Sequence, residues 1–96
     1  MKKIVNCRPT GANVLVEMLT AQETLGTKFE IVGKEAAGPP QGYILDIGPS
    51  VDEKFGFKVG ARVLLQGTFV PVPKYGDVER ERGLVEPHCI KAILEE

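Results

Sequence analysis

Few side chains of this chain could do covalent chemistry. Its one histidine, His88, is followed directly by one of its two cysteines, Cys89, while Cys7 lies near the other end. A thiol beside an imidazole has the makings of an activated nucleophile. Neighbours on an extended strand point to opposite faces, however, so the pair reads as a turn residue beside a core cysteine. No CxxC and no histidine cluster accompanies the two thiols, which favours reduced, partly buried cysteines over a disulfide or a metal pair. No Walker loop, GxGxxG or GxSxG occurs in the sequence, so nucleotide binding and hydrolase chemistry have no support. The chain reads as no enzyme, with no cofactor of its own.

The remaining candidates concern binding. Glu79-Arg80-Glu81-Arg82 is an alternating charge run of the kind that usually forms a solvated surface. Tyr43, Phe55, Phe57, Phe69 and Tyr75 could stack on bases. Twelve basic against 13 acidic residues give a formal net charge of -1, so no basic groove accompanies them and no global field draws nucleic acid or an anionic membrane. Core or inner-wall packing is the expected role of these rings.

The stretch of greatest interest is residues 20–41, TAQETLGTKFEIVGKEAAGPPQ. Its ends are polar, small or glycine, and it closes on Gly38-Pro39-Pro40, which no regular element can pass through. At its centre one short apolar group, Phe29-Glu30-Ile31-Val32, sits between Gly26 and Gly33. A connection of about 20 residues with no regular structure is uncommon in a small domain and is usually functional or disordered. The alternative, a buried strand over Phe29 to Val32, is disfavoured because Lys28, Glu30, Lys34 and Glu35 surround the group and nothing hydrophobic reinforces it.

The elements that must hold this stretch are strands. Ile4, Val5 and Cys7 form a short apolar lead that Pro9 stops, as in an edge strand. NVLVEML from Asn13 is β-branched and largely apolar, and residues 42–48 give a second strand ended by Gly48-Pro49. Residues 49–58 are a short polar connection, and 59–65 turn at Gly60 into a third strand. Residues 68–73 alternate prolines with β-formers, so they fit only an edge strand or an extended segment. DVERERG at 77–83 reads as a charged bend, before apolar residues 84–87, a turn at His88-Cys89, and a last strand over 90–95. The 96 residues, 43% hydrophobic, suit a single small all-β domain, a β-barrel. Met1-Lys2-Lys3 leads into a strand-like segment and not into a signal-peptide core, and no apolar run has the length of a membrane span. A cytoplasmic protein is expected.

Taken together, Asn6-Cys7-Arg8-Pro9 with Asn13-Val14-Leu15-Val16, Gly42-Tyr43-Ile44-Leu45-Asp46-Ile47-Gly48, Val59-Gly60 with Val63, and Ile90-Lys91-Ala92-Ile93-Leu94-Glu95 resemble the GroES-type co-chaperonin family. The resemblance covers nearly the whole chain. It implies a small irregular GroES-like β-barrel over residues 1–96 that assembles into a heptamer and caps a GroEL-type chaperonin, enclosing non-native protein substrates while the chaperonin binds and hydrolyses ATP. Residues 20–41 would be the mobile loop, with Phe29, Glu30, Ile31 and Val32 as the chaperonin contact; Glu30 departs from the family's hydrophobic tripeptide. Subunits would join through Ile4, Val5 and Cys7 of one copy against Ile90, Ala92, Ile93 and Leu94 of the next. Residues 49–58 are shorter than the family's roof hairpin, which implies a shortened roof and a more open apex, as in some virus-encoded relatives. Ala61 stands where the family has an Asp. A monomeric small β-barrel that binds nucleic acid or a ligand is the alternative, and a detached domain like the N-terminal part of medium-chain dehydrogenases is a third possibility.

Overall fold

The computed structural model describes residues 3–20, 40–75 and 80–95. Six strands make one antiparallel sheet: β1 (Val14–Met18), β2 (Gln41–Ile47), β3 (Arg62–Leu65), β4 (Val70–Pro71), β5 (Arg82–Val85) and β6 (Ile90–Leu94), in the spatial order β4-β5-β1-β2-β3-β6. The only helical elements among the described residues are two single 3-10 turns, Glu53–Phe55 and Pro87–Cys89. The fold is all-β, as the strand pattern predicts.

The run Val-Leu-Val makes β1 the centre of the molecule. It pairs with β2 on one side and β5 on the other, and Val14, Leu15 and Val16 are all buried. Val14 and Val16 join Ile44, Val63, Leu65, Val85 and Ile90 in one core cluster, while Leu15 lies outside it on the other face of the strand. Between Leu15 and Val16 the register with β2 slips by one: Leu15 faces Asp46 and Val16 faces Ile44. This bulge sharpens the local twist, and Asp46 meets it by accepting the Ile47 N–H on its own carboxylate at 2.8 Å.

The connection between β5 and β6 forces this sheet to roll. Four strand spacings separate these two strands, about 19 Å in a flat sheet. They are also staggered, since Val85 pairs with Val14 opposite Ile47, whereas Ile90 pairs with Leu65 beside the Pro40 end of β2. Yet only residues 86–89 join Val85 to Ile90, a path that even fully extended reaches at most about 17 Å. The path is also shortened by a 3-10 turn closed by the Cys89 N–H donating to Glu86 O. Only a strongly curled sheet can close that distance.

The roll stops short of a closed barrel, because no ladder joins β4 to β6. The reason lies in β4. Just beyond it the Val72 N–H donates inward to Arg82 O, so the outward-facing alternate positions are Pro71 and Pro73, which have no N–H to give. The expected edge strand is therefore present, and its outer side cannot carry a closing ladder.

Two other expectations change. Residues 3–10 form no strand in the single chain; β1, into which they lead, already has neighbours on both sides, and Ile4 and Val5 are 50% and 85% exposed. Residues 49–58 form no hairpin. They hold a turn after Gly48 and a 3-10 turn whose N-cap, Asp52, accepts the Lys54 N–H at 2.9 Å.

Gly48 does more than end β2. Its N–H donates to Asn13 O at 2.8 Å, and Ser50 N–H donates to Gly11 O at 2.9 Å, pinning the lead into β1 against this turn. A Cβ on Gly48 would overlap Gly11 O and lie 2.7 Å from Asn13 O, both backbone atoms that cannot swing aside. Gly48→Ala is therefore expected to lower unfolding free energy by about 2 kcal/mol or more, read from urea midpoints, while Val59→Ala, at a 64% exposed site, stays within about 0.5 kcal/mol.

Candidate partner-binding and subunit surfaces

The feet of the 20–41 segment are held by the sheet. β1 and β2 run antiparallel with Met18 opposite Gly42, and beyond them the Leu19 N–H donates to Gln41 O at 3.0 Å. Leu65 N–H donates to Pro40 O at 2.9 Å, and Arg62 Nε donates to Gln41 Oε1 at 2.8 Å. The segment thus leaves and re-enters the sheet at adjacent positions, as the connection of a very long β-hairpin. Its predicted contact residues Phe29, Glu30, Ile31 and Val32 lie outside the described residues.

The outgoing foot is braced by charge. Glu17, the penultimate residue of β1, faces Arg82 across the β1–β5 ladder. Its carboxylate lies 3.6 Å from Arg82 Nε and 3.5 Å from Arg80 Nε, while the Met18 N–H donates to Glu81 O. At these distances the contacts are ion pairs and not hydrogen bonds. Arg82 Nε accordingly has no hydrogen-bond partner despite its burial. The side chain is only 9% exposed, and its guanidinium stacks 4.3 Å over the Tyr75 ring and donates from Nη1 to Tyr75 O. The expectation of a solvated charge run therefore fails at Arg82. Entering β5 turns it inward, where a carboxylate and a ring face repay part of its desolvation.

Predicted subunit-contact residues fall into two places. Ile4 and Val5 are exposed and Cys7 half-buried, on a segment outside the sheet. β6 is an edge strand, paired with β3 alone; Ile90 is buried in the core, Ala92 and Leu94 are half-buried, and Ile93 turns outward at 42% exposure. Of the residues expected to meet a neighbour, Ile90 is thus committed to its own chain's core, and Ile93 is the one that β6 presents.

One apolar feature escaped the sequence reading. Phe55 and Phe57 stack with ring centroids 5.2 Å apart and planes 14° from parallel. Phe57 packs on the core while Phe55 stays 48% exposed. With Ile93 and its β6 neighbours they line an open cleft of about 250 Å³. Two aromatic residues in so short and polar a connection were its signal.

His88 and Cys89 each face other partners. Both sit in the 3-10 turn before β6, where exposed His88 points Nδ1 at Glu86 (3.4 Å) and Cys89 Sγ approaches Thr68 O at 3.9 Å. Cys7 and Cys89 are both free thiols, and no group of three potential metal ligands occurs among the described residues. No helix among the described residues is long and apolar enough to cross a membrane.

No protein-family model matches the chain, and no curated protein matches it.

Removing the guanidinium of Arg82 strips Glu17 of its more buried partner. Arg82→Ala is expected to cost about 1–3 kcal/mol of stability. Arg82→Lys should recover less than half of that, since an ammonium lacks the planar face that stacks on Tyr75; thermal denaturation of the three proteins measures it.

Proposed function

We propose that this chain is a co-chaperonin of the GroES type: a subunit of a ring-shaped lid, likened to that family by its strand motifs, that docks on an ATP-driven chaperonin through residues 20–41. The observation that carries the reading is the hairpin foot. β1 and β2 pair at Met18 and Gly42 and bring both ends of this long stretch together at one end of the sheet, which supports reading it as a presented binding loop.

The energetics of such a loop explain why it needs a ring. Fixing a residue's backbone costs roughly 1–2 kcal/mol, whereas burying Phe29 and Ile31 returns about 1.5–3 kcal/mol each. One copy binds weakly. When a ring presents several identical loops, each docking after the first is intramolecular, and avidity exceeds single-site affinity by roughly 10²–10⁴. The cap holds, yet it releases when the chaperonin's ATP cycle withdraws a few contacts. In an extended docked segment Phe29 and Ile31 face one groove and Glu30 points away from it, so an acidic residue between them is compatible with binding. The connection over residues 49–58 leaves little mass for a roof, so the dome over the enclosed substrate is open at its apex. The chain itself supplies no ATP chemistry.

Capture of a GroEL-type chaperonin on immobilised protein, with and without ATP, tests the reading. Nucleotide-dependent capture is expected, and Phe29→Ala with Ile31→Ala should abolish it while leaving the thermal unfolding curve unchanged. Capture that survives the double substitution, or strong amide-exchange protection from residue 27 to 33 in the free protein, would refute the assigned contact. Salt-sensitive binding of an oligonucleotide by a monomer would replace it with the alternative.

A further inference from the structure

The outer edge of β6 carries a pattern that is complementary to itself when reversed. β6 pairs with β3 alone, and its sequence, Ile-Lys-Ala-Ile-Leu, contains no proline. Its alternate N–H and C=O groups on the other side therefore stand outside any ladder in the described chain and can accept an added strand. Along β6 and the residue after it exposure alternates: Lys91, Ile93 and Glu95 are exposed, whereas Ile90 is buried and Ala92 and Leu94 are half-buried. The outward face thus reads cation, apolar, anion at a period of two. No ion pair among the described residues uses Lys91 or Glu95.

This order of side chains selects the strand that fits. Two copies of one strand related by a two-fold axis normal to the sheet run antiparallel, and each residue meets one on the same face. With the axis at Ile93, that residue faces its own counterpart, Lys91 faces Glu95 of the second copy, and Glu95 faces Lys91 of the second copy. Both charges are matched, and the β-branched residue lies on the axis. With the axis at Ala92, Lys91 faces Ile93 and Glu95 finds no cation; with the axis at Leu94, Ile93 faces Glu95 and Lys91 finds no anion. A parallel copy in register sets like charges side by side. Ile93 also lines an apolar cleft with Phe55, itself stacked on Phe57, so the apolar surface at the axis is larger than one isoleucine pair.

We infer that β6 is a self-complementary docking edge whose partner is β6 of a second copy, in a two-fold dimer with Ile93 on the axis and two Lys91–Glu95 pairs across it. The two sheets join edge to edge, and the side of β6 that is open to strand addition is covered. This pairing is independent of the co-chaperonin reading. That reading gives β6 a different neighbour, so chains closed on each other in this way are withheld from a ring. The dimer is then a reserve form that ring assembly must open.

Native mass spectrometry of the full-length chain across a concentration series at low salt tests the pairing, with the variants Lys91→Glu and Glu95→Lys each confirmed as folded by circular dichroism. The unaltered chain should show a dimer. Each variant sets like charges opposite each other twice, and each should raise the dimer dissociation constant about 10-fold or more. An equimolar mixture of the two variants, one labelled with nitrogen-15, should regain the affinity of the unaltered chain as a mixed dimer, because every charge again faces its opposite. Lys91→Glu and Glu95→Lys combined in one chain should regain it as a homodimer. Single variants that dimerise like the unaltered chain, or a mixture that forms no mixed dimer, overturn the inference. So does an unaltered chain that is monomeric throughout or that passes from monomer to larger rings without a dimer. A dimer that behaves as expected in a protein that captures no chaperonin leaves the edge pairing standing and removes the co-chaperonin reading alone.

Discussion

The four residues between β5 and β6 are the constraint on which the rest of the molecule depends. A link this short between strands so far apart in sheet order cannot be made on a flat sheet. The roll it enforces is what gathers Val14, Val16, Ile44, Val63, Leu65, Val85 and Ile90 into one core. Without it, each of these side chains would face a one-sided sheet with no second layer to cover it, since no helix among the described residues packs on either face. Pro87 suits the task. It fixes φ at the start of the 3-10 turn and contributes no N–H that would need a partner there.

Rolling also decides what the edges can do. One edge ends in prolines and the other in an ordinary strand, so the sheet has a blunt side and a receptive side. Under the ring reading proposed above, a chain with unequal edges has direction. Copies that add through the receptive side repeat one rotation, and a ring results when that rotation closes on itself.

The sequence was most legible where local pattern and tertiary role agree. β1, β2, β3 and β6 follow from β-branched runs closed by glycine and proline, and β4 is an edge strand because its prolines leave no other place for it. Reading failed where a long-range contact overrode local character. Arg82 and Gly83 belong to a charged, glycine-containing stretch that reads as a bend, yet both are in β5. A Cβ on Gly83 would run into the Phe69 ring, and Arg82 is held by Glu17 and Tyr75, neither of which is adjacent in sequence. Residues 4–7 have the composition of a strand, but β1, into which they lead, already has neighbours on both sides and they join no ladder. The two rings Phe55 and Phe57 were legible as packing residues, but not the cleft they line with β6, which lies more than 30 residues away. Of the predicted chaperonin contact, only the anchoring is described, at Leu19, Pro40 and Gln41.

The hydrogen bond from Leu19 to Gln41 has one further consequence. Because β1 and β2 already hold the two ends together, the entropy of closing the connection grows only with the logarithm of its length, about 0.6 kcal/mol for each doubling. The strands thus bear much of the cost of closure. A modest change in the length of that connection therefore costs the sheet little.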